Sequence, residues 1–144
     1  MHPFPHHYSV SAAARPEGPV PLSAEGLGAI ESAPPKEFGG TGQQWSPESL
    51  LTAAVADCFV LNFRAIAAAS KYPWSSLEAR TQGTLNRADG KMAFTRFDTH
   101  AKLTVPAGTD VERGRKLLEK AEQTCLVSNS LACERHLTVE VAAG

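Results

Sequence analysis

The chain has 144 residues, with 14 Lys and Arg against 15 Asp and Glu and a net charge of −1. Its cations are scattered along the chain, which gives no electrostatic footprint for nucleic acid. The length fits a single domain over 1–144 that can bury a core without staples, and an odd count of three cysteines suits a reducing compartment, so a cytoplasmic protein is expected.

No apolar stretch reads as the ~18 residues needed to span a bilayer, because the alanine-rich run after Leu50 is cut by Asp57, Asn62 and Arg64. No membrane partner is expected. Residues 1–7 lack the basic and hydrophobic regions of a signal peptide and read as a loose terminus, in preference to a metal site built from His2, His6 and His7.

Small and β-branched residues from Tyr8 to Ala14, followed by the turn Arg15-Pro16-Glu17-Gly18-Pro19, predict the first arm of a β meander. Val20–Leu22 and Leu27–Ile30 supply two more short strands. Ala33 to Trp45 is a loop by composition. It ends at a helix start with Ser46 as N-cap, Pro47 at the first helical position and Glu48 against the positive end of the helix dipole. The helix runs to about Ser70, before Pro73. Leu51, Val55, Cys58 or Phe59, Asn62 and Ile66 recur at helical spacing with alanines between, so a helix buried nearly all round is expected.

Leu77, Ala79, Thr81, Gly83 and Leu85 alternate with polar residues, as in a half-buried strand. Asp89-Gly90 is a hairpin signal, and the partner strand from Met92 to Val105 places Phe97, Thr99, Ala101, Leu103 and Val105 on one face. Thr109 or Asp110 caps a second helix with Val111, Leu117, Leu118 and Ala121 on one side, and this helix delivers Cys125. His136 to Val141 alternates again as a final strand. There is no internal repeat.

Two cysteines on separate elements point to thiol redox chemistry. A peroxidatic site needs a thiol of lowered pKa, a cation or donor to hold the thiolate, and a second thiol to resolve the sulfenic acid. Each cysteine taken singly has a simpler reading, a small buried hydrophobe.

The run Ser46-Pro47-Glu48-Ser49-Leu50-Leu51, then Ala56-Asp57-Cys58-Phe59, and the later Leu117-Leu118-Glu119-Lys120-Ala121-Glu122-Gln123-Thr124-Cys125-Leu126-Val127-Ser128-Asn129 resemble the OsmC family, which groups osmotically inducible protein C with the organic hydroperoxide resistance proteins. The likeness runs from about Tyr8 to the C-terminus. It implies an α+β fold with antiparallel sheets packed around two main helices in an intertwined homodimer. It also implies Cys58 as the peroxidatic thiol, Cys125 as the resolving thiol, and Glu48 with Arg15 as the pair that orients and activates the thiolate. Arg15 has an alternative reading as a solvated turn residue. The implied substrate is an organic hydroperoxide and the implied reductant a dithiol, lipoylated proteins in one branch. No metal, haem or flavin is implied.

Glu48 and Cys58 are ten residues apart on the predicted helix, about 15 Å along its axis, so Glu48 cannot reach its own Cys58. A shared site between two subunits is therefore expected. The sequence departs from the family pattern at Leu126, where proline is usual, and at Gln43-Gln44-Trp45-Ser46, where glycine and asparagine are usual; Trp45 and Phe38 could line an apolar entry. Asp57 turns about 100° away from Cys58, and Arg64 is read as structural. Cys125, Cys133 and His136 match no common zinc spacing, and Cys133 is read as structural or as an alternative resolving thiol. Two other readings remain: a non-catalytic member binding an apolar small molecule at the dimer interface, and a cysteine hydrolase with His100 or His136 as base.

Overall fold

Strands and helices form where the sequence changes period, from alternation to a three-to-four-residue repeat and back. The computed structural model describes every residue from Met1 to Gly144, in two compact units, Met1–Leu50 and Leu51–Gly144.

The first unit holds β1 (Ser11–Ala12), β2 (Val20–Ser23) and β3 (Ile30–Ser32), an antiparallel sheet in that order with Leu22 opposite both Ala12 and Ile30. The expected first strand shrinks to two residues. The third begins at Ile30, because Leu27 instead closes a turn by donating its N–H to Ala24 at 3.1 Å beside the left-handed Gly26. The loop from 33 to 45 is pinned at its ends, where Ala33 donates to the Trp45 carbonyl at 2.9 Å. Inside it Gly40 passes so close to Pro34 that a Cβ would lie 1.7 Å from the carbonyl oxygen, which only glycine allows. Of residues 1–50 only Ser32 and Ser46 are buried, and neither is apolar.

Helix α1 (Pro47–Ala69) starts as its sequence requires. Ser49 N–H donates to Ser46 Oγ at 3.1 Å and Ser46 N–H donates to Ser49 Oγ at 2.8 Å, a reciprocal capping box with serine in the place of the usual glutamate. The helix ends before the left-handed Lys71. It is not buried all round: Val55, Phe59, Phe63 and Ala67 form one buried stripe at four-residue spacing, while Asp57, Leu61 and Arg64 are exposed. Contrary to the expectation from its charges, α1 is long and apolar enough by composition to cross a membrane, its alanines and phenylalanines outweighing Asp57, Asn62 and Arg64.

Strands β4 (Ser76–Ala88) and β5 (Lys91–Val105) form the expected hairpin. Asp89 and Gly90 both take positive φ, 51° and 76°, as a two-residue turn of that twist demands. After β5 comes α2 (Val111–Gln123), capped by Asp110, whose carboxylate accepts from Arg113 N–H at 3.1 Å. A one-turn helix α3 (Leu126–Asn129) and β6 (Glu134–Ala143) complete the chain.

The α+β fold has its two main helices and its antiparallel pairings β1–β2, β2–β3 and β4–β5 as expected, and strand β6 lies beside β5 in parallel. The reason is the helix between them: α2 returns the chain to the end at which β5 began, so the next strand must run the same way. The β4–β5–β6 sheet buries the face carrying Leu77, Ala79, Phe97, Thr99, Ala101, Leu103, Leu137, Val139 and Val141. Phe59, Phe63, Ala67, Leu118 and Ala121 of the two helices join that core. Val111, expected on the inner side of α2, is 40% exposed, because the buried stripe passes instead through Gly114, Leu118 and Ala121.

Candidate active site

The periodicity that buries Val55, Phe59 and Phe63 sets Cys58 at the edge of the buried stripe of α1, half-buried. Cys125 arrives by another route. At the end of α2 the chain turns sharply, and Cys125, extended at φ −66° and ψ 117°, is the N-cap of α3 and wholly buried. Its N–H donates to the Glu122 carbonyl at 3.3 Å, and its carbonyl accepts from Asn129 N–H at 2.9 Å, so the residue is the pivot of the elbow.

The elbow brings the two thiols together. Cys58 has the Cys125 thiol and the backbone N–H groups of Val127 and Leu126 as close polar neighbours. Burial pushes the Cys58 thiol above its ordinary pKa; the two N–H donors pull it down and the neighbouring Cys125 pushes it up, with a net rise. None of these groups carries a positive charge. The arrangement supplies donors for a thiolate and a second, neighbouring thiol, and leaves the charge of the thiolate to be balanced from elsewhere.

Two side chains that sequence reasoning did not single out for the site hold the elbow. Asn62, one turn after Cys58 on α1, donates from Nδ2 to the Ala121 carbonyl at 2.9 Å and to Thr124 Oγ1 at 2.8 Å. Arg135 of β6 donates from Nε to Glu122 Oε1 at 2.7 Å, from Nη1 to Asn129 Oδ1 at 2.7 Å, and from Nη2 to the Glu122 carbonyl. The signal for Asn62 was an amide on an otherwise apolar stripe. Arg135 stands just before the strand expected from His136 to Val141, and no sequence pattern marked it.

Glu48 is half-buried in the first turn of the same helix as Cys58, ten residues away, which is about 15 Å along a continuous helix. Arg15 is exposed in the segment between β1 and β2. The chain thus brings Cys58 and Cys125 together and leaves Glu48 well separated along the helix. Asp57 is exposed, as its helical angle predicts, and Cys133 is half-buried. His100 is exposed on the solvent face of the sheet, in register with Arg80 and Thr138, and His136 is exposed 3.5 Å from Glu134. Both histidines lie on the face opposite the helices, away from the chain's own Cys58.

A family model described as OsmC-like protein matches residues 40–141. The chain is 24% identical over 111 residues to the uncharacterized protein YmaD of Bacillus subtilis, covering 75% of this chain and 74% of the relative. Among solved structures, an OsmC-like protein of unknown function from Vibrio cholerae superposes with a TM-score of 0.85 at 18% identity, covering 94% of this chain and 99% of that one. An organic hydroperoxide resistance protein OsmC from Legionella pneumophila gives 0.74 at 25% identity, with 95% and 97% covered.

Proposed function

Because the chain belongs to the OsmC-like protein family, we propose that it is a thiol-dependent peroxidase reducing organic hydroperoxides to alcohols, with Cys58 as the peroxidatic and Cys125 as the resolving thiol. The observation that carries this reading is that the two thiols are near neighbours, although their residues stand 67 positions apart in the chain. The name of the Legionella relative lends support to the substrate class.

The Cys58 thiolate attacks an oxygen of the hydroperoxide, the O–O bond breaks, and the alkoxide takes a proton and leaves as the alcohol. Cys58 is then a sulfenic acid. Cys125, as thiolate, attacks its sulfur, the S–O bond breaks, and the hydroxide leaves as water. The two electrons taken up by the peroxide come from the two thiols. A dithiol, of which a lipoylated protein is one class, returns them by exchange.

The first step needs a thiolate, and burial opposes it. A homodimer resolves this: Arg15 and Glu48 of a second subunit would supply the charge and the orientation that the chain's own Cys58 lacks. Two features support a second copy. Residues 1–50 form a three-stranded sheet that buries no apolar side chain, which does not make a stable body by itself. Beside the thiols, Leu61 and Leu126 are 47% and 78% exposed, apolar surface that suits a partner or an apolar hydroperoxide.

A second reading has one observation in its favour. The raised pKa of Cys58 suits a protonated thiol in a non-catalytic protein that binds an apolar small molecule at the dimer interface. One experiment separates them: counting free thiols of the reduced protein before and after one equivalent of cumene hydroperoxide, with peptide mapping. Loss of two thiols per chain and a Cys58–Cys125 linkage is expected, with Cys58→Ser unreactive and Cys125→Ser stopping after one turnover. Three thiols left intact would support the binding protein instead.

A further inference from the structure

We propose that Arg135 is a positioning residue for closure of the Cys58–Cys125 disulfide, an assignment that rests on the dithiol reading of the site. Its guanidinium bridges the two arms of the elbow that carries Cys125: Glu122, in the last turn of α2, and Asn129, at the end of α3. The Glu122–Arg135 ion pair, 2.7 Å long, is shielded, with the two side chains only 15% and 25% exposed.

The elbow needs such a brace. Helix α3 is a single turn, and one turn does not hold itself against solvent. Cys125 is wholly buried at the pivot, so its sulfur moves only as the elbow moves. Disulfide closure takes two neighbouring sulfurs to a bond of about 2.05 Å with narrow limits on its torsion. A loose elbow would have to be ordered before that bond could form, and the entropy of ordering would be charged to closure.

Arginine suits the position for a geometric reason. The three acceptors are two oxygens of Glu122 and one of Asn129, and a planar fork of N–H donors meets all three at once. A lysine ammonium could keep the charge pair with Glu122 and would lose the planar reach to Asn129. Asn62 holds the same elbow from α1, through the Ala121 carbonyl and Thr124, so the pivot is fastened on two sides. Of the two, only Arg135 spans both arms.

The test equilibrates the full chain with a glutathione redox buffer and measures the fraction of Cys58–Cys125 disulfide by peptide mapping. This gives the effective concentration of one thiol at the other without any peroxide. Arg135→Ala is expected to lower it about tenfold, and Arg135→Lys to lower it by about threefold. Gly114→Ala, a destabilising change far from the elbow, serves as the control and leaves it unchanged; a merely structural Arg135 would lower melting temperature as Gly114→Ala does and leave the thiol equilibrium where it was. Should Arg135→Ala fail to fold, Asn129→Ala removes one arm of the brace and is expected to give a drop of about threefold. Wild-type equilibria in the folded variants would overturn the proposal. A wild-type chain inert to cumene hydroperoxide, with the equilibrium still shifted by Arg135→Ala, would sink the peroxidase reading and support the positioning role.

Discussion

The two ends of α2 are held by the same kind of clasp, one from the segment just after α1 and one from α1 and β6, and the clasps serve different ends. At the N-terminal end Tyr72 donates its hydroxyl to the Asp110 carbonyl at 2.9 Å, Arg113 donates to the Ser70 carbonyl at 2.5 Å, and its guanidinium lies 5.5 Å from the Tyr72 ring centroid. At the C-terminal end Asn62 and Arg135 hold the turn that carries Cys125. The first clasp closes on an aromatic ring and contains no reactive atom. The second closes on two neighbouring thiols. Side chains bonding to terminal helix carbonyls can thus be a way of joining helices or a way of aiming a reactive group, and only the atoms held between them tell which.

The largest effect expected at the structural end comes from Gly114→Ala. A Cβ there would lie 2.4 Å from the Tyr72 hydroxyl oxygen, 3.0 Å from its ring carbon and 3.2 Å from a Leu103 methyl, with Tyr72 already committed to Asp110. The ring has to move, and overpacking of this kind costs about 2–3 kcal/mol. Chemical denaturation should register that loss while the Cys58–Cys125 equilibrium stays at its wild-type value. A variant as stable as the wild type would show that the N-terminal clasp yields easily.

Tyr72→Phe is a smaller cut at the same place. It removes the bond to the Asp110 carbonyl and keeps the ring that packs against Gly114 and Leu103, so a loss of about 1 kcal/mol is expected in denaturant melts. If this substitution altered the thiol equilibrium as Arg135→Ala is expected to, the two ends of α2 would be coupled and the contrast between them would fail.

Much of this architecture was legible because local signals agreed with the global fold. Ser46-Pro47 marked the start of α1, Asp89-Gly90 marked the β4–β5 turn, and the alternation through Phe97, Ala101 and Leu103 marked the inner face of β5. The order of Cys58 and Cys125 on two helical segments was also readable, and so was their family context. The alternation of β6 does not carry its direction; the helix between β5 and β6 is what makes that pairing a parallel crossover. The single buried stripe of α1 was missed because alanines carry no marker of which side faces protein. The clasp of Arg135 lay beyond the sequence, since its partners Glu122 and Asn129 precede it by 13 and 6 residues across a turn whose shape no local pattern fixes.

The finest test sets the two ends apart by charge. In the chain's own environment the Cys58 thiol holds its proton more tightly than in the unfolded state, chiefly through burial. The folded form is then favoured fully below the ordinary thiol pKa, and that advantage is lost as pH rises through the unfolded and then the folded value. A cation reaching Cys58 from a second subunit inverts the sign: the folded pKa falls below the unfolded one, and stability is gained as pH rises across the same alkaline range. Stability measured against pH, each protein compared with its own Cys58→Ser counterpart, therefore reads whether Arg15 acts on the thiol. Arg15→Ala should lose stability relative to that counterpart on going alkaline, and the wild-type protein should gain it if Arg15 of a second copy reaches the thiol. Equal slopes would remove Arg15 from the site, and the thiolate would then rest on the Val127 and Leu126 N–H groups alone, against the burial that opposes them.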